Sequence, residues 1–158
     1  MNRQIWKYAF LFIVAFLFQI SLVRYIEILN WKPDLILIVL VMFSIQYGPN
    51  YGSTAGFVSG VMGDLASSHL LGLGALSKSI TGYLAGSLAR YFKERSQFII
   101  TLVLSGFVHH LIYFFISTLG DSISWHIIIF VHIIPNLFYT ALVGFFIYYL
   151  LVSWLKED

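Results

Sequence analysis

Residues 48–64 read GPNYGSTAGFVSGVMGD, with Gly48, Gly52, Gly56, Gly60 and Asp64 at every fourth position. Fourth-residue spacing stacks side chains along one stripe of a helix. This stripe carries no side chain until it closes on a carboxylate. Within an apolar segment it lets a neighbouring helix backbone approach closely, as small-residue faces do inside membranes. Residues 70–90, LLGLGALSKSITGYLAGSLAR, repeat the theme with Gly82 and Gly86 and set Lys78 among apolar neighbours. Gly52, Gly56, Gly60, Gly82 and Gly86 are therefore assigned to helix packing.

Composition fixes the environment. The chain has 158 residues, 59% hydrophobic and 10% charged, with a mean hydropathy of +0.87. Soluble domains carry about 25% charged residues, so this is an integral membrane protein with little room for a soluble domain. A net charge of +2 is too modest to imply a nucleic-acid partner. The absence of cysteine excludes disulfides, thiolate metal sites and a cysteine nucleophile. Aromatics reach 18%, which suits interfacial belts and helix packing in lipid.

Outward from the glycine stretch, six apolar spans are expected in a single domain covering 1–158. The first is an apolar run at 9–23 after Arg3 and Lys7; counted from Ile5 it is too long for a signal peptide, and no small-residue cleavage site follows it. It is read as a retained span with a cytoplasmic N-terminus. A short connection with Arg24, Glu27, Asn30 and Trp31 leads to Pro33 and Asp34, which open the second span. Proline suits a first helical turn, and the aspartate suits the positive end of the helix dipole. The third span, 52–65, is short for a perpendicular crossing of about 20 residues. It forms either a bilayer-thinning hairpin with span two or a hairpin buried among other helices. A small-residue loop with His69 precedes span four at 73–89. The basic cluster 90–95 follows, then span five at 98–119 and a loop with Asp121 and Trp125. Span six covers 126–154, with a kink expected near Pro135. Arg3, Lys7, Arg90, Lys93, Arg95 and Lys156 then lie inside and Arg24 and Lys32 outside, which obeys the positive-inside rule.

Candidate chemistry is sparse. Ser59 in GFVSG is the serine to weigh as an intramembrane nucleophile, with histidines on later spans, but Gly56 lies three residues before it where the rhomboid-type pattern has glycine two before, and small-residue packing explains it better. His109 and His110 are adjacent, so they diverge by about 100° on a helix, and no HExxH pattern exists. No metal and no cofactor are expected. Asp64 and Lys78 stand out, because intramembrane charges mark a partner or a pathway. The short connection between them either pairs them near the outer surface, or Lys78 snorkels while Asp64 meets interfacial water or a ligand. Asn136 follows Pro135 and can bond a neighbouring helix, since proline frees a carbonyl on the preceding turn.

These residues resemble the rod shape-determining MreD family. The resemblance rests on Pro33, Asp34 and Leu35, on the turn at Tyr47 and Gly48, and on Gly56, Phe57, Gly60, Asp64 and Leu65. Leu71, Gly72, Leu73, Ala75 and Leu76 continue it, followed by Tyr83, Leu84 and Gly86. It implies a non-enzymatic subunit of the cell-elongation machinery in the bacterial inner membrane, with both termini cytoplasmic. The implied partners are an MreC-type membrane protein, a RodA-type glycosyltransferase with its transpeptidase, and MreB filaments indirectly. It also implies a bundle similar to the substrate-binding membrane components of energy-coupling-factor transporters. That likeness supplies the rival reading, a vitamin or small-molecule carrier with a ligand near Asp64 and Lys78. The outer loops are short for capping such a ligand.

Overall fold

The computed structural model describes residues 3–21, 31–66, 70–119 and 124–156, and every regular element among them is helical. The helices are α1 (Arg3–Ser21), α2 (Leu35–Tyr47), α3 (Pro49–Ala66), α4 (Leu73–Leu88) and α5 (Glu94–Ser117). After them a short α6 (Trp125–Ile127) runs through a π-helical stretch (Ile128–Ile133) into α7 (Ile134–Lys156). Arg24, Glu27, Asn30, His69 and Asp121 lie outside the described residues.

The sequence LILIVLVMFSIQY has no polar face, and a helix apolar on all sides is stable only when enclosed. Accordingly α2 is the core of the bundle, with Ile36 through Met42 all buried. Tyr8, Leu11 and Ala15 of α1, Ala85 of α4 and Phe98 and Leu102 of α5 share its cluster. Val143, Ile147 and Leu151 of α7 pack against the same cluster. At 13 residues α2 is about 20 Å long, well short of the ~30 Å hydrocarbon layer.

Gly48 turns the chain from α2 into α3 with φ +90°, and Pro49 starts the new helix where no N–H is needed. α3 and α4 then lie antiparallel with backbones in direct contact. A Cβ on Gly52 would meet the Gly82 carbonyl, and one on Gly56 would meet the Lys78 carbonyl. One on Gly60 would strike Ala75, and one on Gly86 would strike Pro49. Ser53 and Ser79 hydroxyls add a 2.9 Å bond across this seam.

Among the described residues, three apolar helices are long enough to cross a membrane: Arg3–Ser21, Ser96–Ser117 and the continuous rod Trp125–Leu155. Their outer faces are apolar too. Trp6, Phe10, Ile13 and Leu17 form an exposed stripe on α1, as do Phe138, Leu142, Phe145 and Tyr149 on α7. A surface of this kind is what a hydrocarbon solvent requires. α2, α3 and α4, with 13, 18 and 16 residues, fall short of that standard by length or composition.

Where a kink is expected near Pro135, the structure shows a π-helical turn before the proline. Proline cannot donate to the Val131 carbonyl four residues back. The Trp31 indole Nε1 donates to that carbonyl instead, at 3.0 Å. At the opposite end of the bundle, Lys7 Nζ donates to the Trp154 carbonyl at 3.0 Å and sits 5.1 Å over the Trp154 ring.

Candidate functional site

The C-terminal ends of α1 and α3, the N-terminal ends of α2 and α4, the late turns of α5 and the early turns of α7 meet at one end of the bundle. Between them lies a cleft of about 470 Å³. Arg3, Lys7, Arg90 and Lys93 belong to the opposite end.

The cleft is organised by the extended segment 31–34 that leads into α2. A non-helical segment at membrane depth must find hydrogen bonds from its neighbours, and here they come from side chains on both flanks. Gln19 of α1 receives the Leu35 N–H at 2.8 Å and donates to the Pro33 carbonyl at 3.2 Å. On the other flank Asn136 Oδ1 accepts from the Lys32 N–H at 2.8 Å, and Thr140 Oγ1 accepts from the Asp34 N–H at 3.1 Å. Asn136 therefore grips the chain before α2 rather than a helix.

Asp34 stands at the centre. Its Oδ1 caps α2 by accepting from the Leu37 N–H at 2.8 Å. Its Oδ2 accepts from Lys78 Nζ at 2.9 Å and lies 3.7 Å from His109 Nε2. Both side chains of the ion pair are largely buried, at 12% and 16% exposure. A buried pair of this kind survives because its geometry is short and its remaining oxygen is satisfied.

The expected pairing of Lys78 with Asp64 is thus corrected: the lysine's carboxylate partner is Asp34. Asp64, 5% exposed, turns instead to the start of α4, where the first N–H groups of a helix lack intrahelical partners. Its Oδ2 accepts from the Gly72 and Ala75 N–H groups at 2.8 and 3.2 Å, and Oδ1 from Gly74 at 2.9 Å. Leu73 N–H goes to the Leu70 carbonyl at 3.2 Å. Gly72 enters α4 at φ +96°, a left-handed conformation that favours glycine. A Cβ at Gly74 would collide with the Asp64 carboxylate.

Other sequence candidates find ordinary places. Ser59 is buried and donates to the Gly56 carbonyl of its own helix at 3.2 Å. His109 and His110 both line the cleft although they are sequence neighbours, their ring centroids 5.2 Å apart. Sequence reasoning missed Asp34 as the hub because it sought the partner of Lys78 nearby in the chain. The available signal was a second outer-end carboxylate on the helix following Pro33. It also missed the two histidines as cleft residues; the signal was two adjacent polar side chains in an otherwise apolar span.

Residues 2–157 match the family described as rod shape-determining protein MreD. No curated protein matches the chain. No solved structure matches it.

Proposed function

The chain belongs to the rod shape-determining MreD family, and from that premise we propose that it is a non-enzymatic, multi-pass subunit of the machinery that elongates rod-shaped bacteria. The observation that carries this reading is the family match across essentially the whole chain. In this reading all 158 residues form one domain in the cytoplasmic membrane, with six crossings in a bundle like those of energy-coupling-factor substrate-binding components. Arg3, Lys7, Arg90 and Lys93 mark the cytoplasmic end, in keeping with the positive-inside rule, and the cleft opens on the other side. The subunit scaffolds an MreC-type membrane protein. Through it, the subunit meets a RodA-type glycosyltransferase and its transpeptidase, with MreB filaments engaged indirectly. The apolar stripes on α1 and α7 support contacts made within the bilayer.

The test is co-purification of the tagged chain from its native membrane together with depletion of the chain in cells. Capture of the MreC-type protein and rounding of depleted cells are expected. Cells that keep their rod shape, with no such protein captured, would overturn the reading. The carrier reading is favoured by one observation, the 470 Å³ cleft. It requires uptake of a solute to fall in depleted cells whose shape is unchanged.

A further inference from the structure

The apolar faces that the bundle turns outward are unequal in height. On α3 the exposed apolar residues run from Tyr51 to Leu65, about 21 Å at the helical rise per residue. On the rod formed by α6, the π-helical stretch and α7 they run from Ile127 to Leu150, about 35 Å by the same rise. The hydrocarbon layer of a typical bilayer, ~30 Å thick, lies between the two. Neighbouring helices follow the same division. α4, packed along α3, has 16 residues and is about 24 Å long. α5, packed against α7, has 24 residues and is about 36 Å long. The bundle therefore has a short flank and a tall one.

A short apolar face is accommodated in one of three ways: snorkelling side chains at its ends, self-association, or local thinning of the bilayer. Snorkelling uses the long stems of lysine or arginine, and the chain has neither between Lys32 and Lys78. Lys78 itself is committed to Asp34. Close association of helices in lipid uses small residues. Those of α3, at Gly52, Gly56 and Gly60, are already covered by α4. The face left exposed carries Tyr51, Phe57, Val58, Met62 and Leu65, which hold a second helix at a distance. Tyr51, 64% exposed at the end of α3 near Gly48, is an aromatic of the type that settles at headgroup level. Asn50 beside it is exposed as well. Headgroups that reach Tyr51 and the residues just past Leu65 must approach each other across a thinned layer. We propose that the α3 flank thins the bilayer and gathers phospholipids with short acyl chains, while the α7 flank does not. A groove of about 450 Å³ lies on the same flank, with Val58 and Met62 of α3 on one wall and Phe12 and Phe16 of α1 on the other. It gives those chains an apolar surface to lie against. The inference rests on the reading that α3 crosses the membrane, and not on which proteins the subunit meets.

The test uses the full chain, whose lack of cysteine makes single labels clean. Val58→Cys on α3 and Leu142→Cys on α7, both at exposed positions, each carry one bimane fluorophore. Each labelled protein is reconstituted in an equimolar mixture of dimyristoleoyl- and dierucoyl-phosphatidylcholine, with one lipid and then the other brominated as a quencher. At position 58 the short-chain lipid should quench about twofold more strongly than the long-chain one, and at position 142 that preference should vanish or reverse. If Val58→Cys fails to fold, Met62→Cys labels the same face. Equal quenching by the two lipids at position 58, a preference there for the long chain, or the same preference at both positions would overturn the proposal while leaving α3 in lipid. Quenching at position 142 with none by either lipid at position 58 would overturn it together with the exposure of α3 to the bilayer.

Discussion

Asp34 and Asp64 are both carboxylates at the same end of the bundle, and their partners make them behave differently under substitution. Asp34 neutralises a largely buried ammonium. Removing one member of such a pair strands the other and costs about 3–5 kcal/mol when fully buried, somewhat less here beside a cleft. Asp34→Asn and Lys78→Met should each destabilise the chain strongly, with the double change much milder than the sum. Asp64 and Lys78 should instead be nearly additive, because Asp64 is held by backbone N–H groups. Double-mutant cycles on thermal or denaturant unfolding read both couplings. Coupling of Lys78 to Asp64 equal to that with Asp34 would contradict the geometry. Asp64→Ala should cost more than Asp64→Asn, since the amide keeps one acceptor for the start of α4. Stranded N–H groups cost about 1–3 kcal/mol each.

For the α3–α4 hairpin, the physical constraint is the distance between two backbones. Adding one carbon at Gly56 or Gly60 places it against the Lys78 carbonyl or the Ala75 Cα, neither of which can rotate away. Gly56→Ala and Gly60→Ala should therefore each cost several kcal/mol, at the upper end of overpacking effects of about 1–3 kcal/mol or beyond. Gly63 lies on the same helix with nothing within 4 Å of a built Cβ. Gly63→Ala should be neutral or stabilising by up to about 1 kcal/mol, the helix-propensity difference. Unfolding midpoints of the three variants decide the matter, and equal tolerance would mean that α3 and α4 separate in the native membrane.

At the scale of the whole molecule, the bundle places Arg3, Lys7, Arg90 and Lys93 at one end and its polar cleft, with Lys32 and Lys78, at the other. The chain has no cysteine, so single substitutions give a clean label. Lys32 is exposed at the cleft end and Tyr91, 81% exposed, at the basic end. A membrane-impermeant maleimide on intact spheroplasts should label Lys32→Cys and spare Tyr91→Cys until the membrane is permeabilised. The reverse pattern would invert the proposed orientation.

Some of this architecture follows from the chain alone, because it depends on local pattern. Fourth-residue glycines, the uniformly apolar run after Asp34, the turn at Gly48 and Pro49 and the basic cluster after α4 are read within a few residues. They fix a helical membrane chain and, with the ordered motifs, its family. The connections of the cleft could not be read in that way. Lys78 bonds a residue 44 positions earlier, and Asn136 one 104 positions earlier. Which charge meets which is set by how α2, α3, α4, α5 and α7 pack around one another. Proximity in sequence pointed Lys78 to Asp64. The helix start at Gly72 claimed that carboxylate first, because three N–H groups with no intrahelical partner must be satisfied before a lysine with another carboxylate within reach.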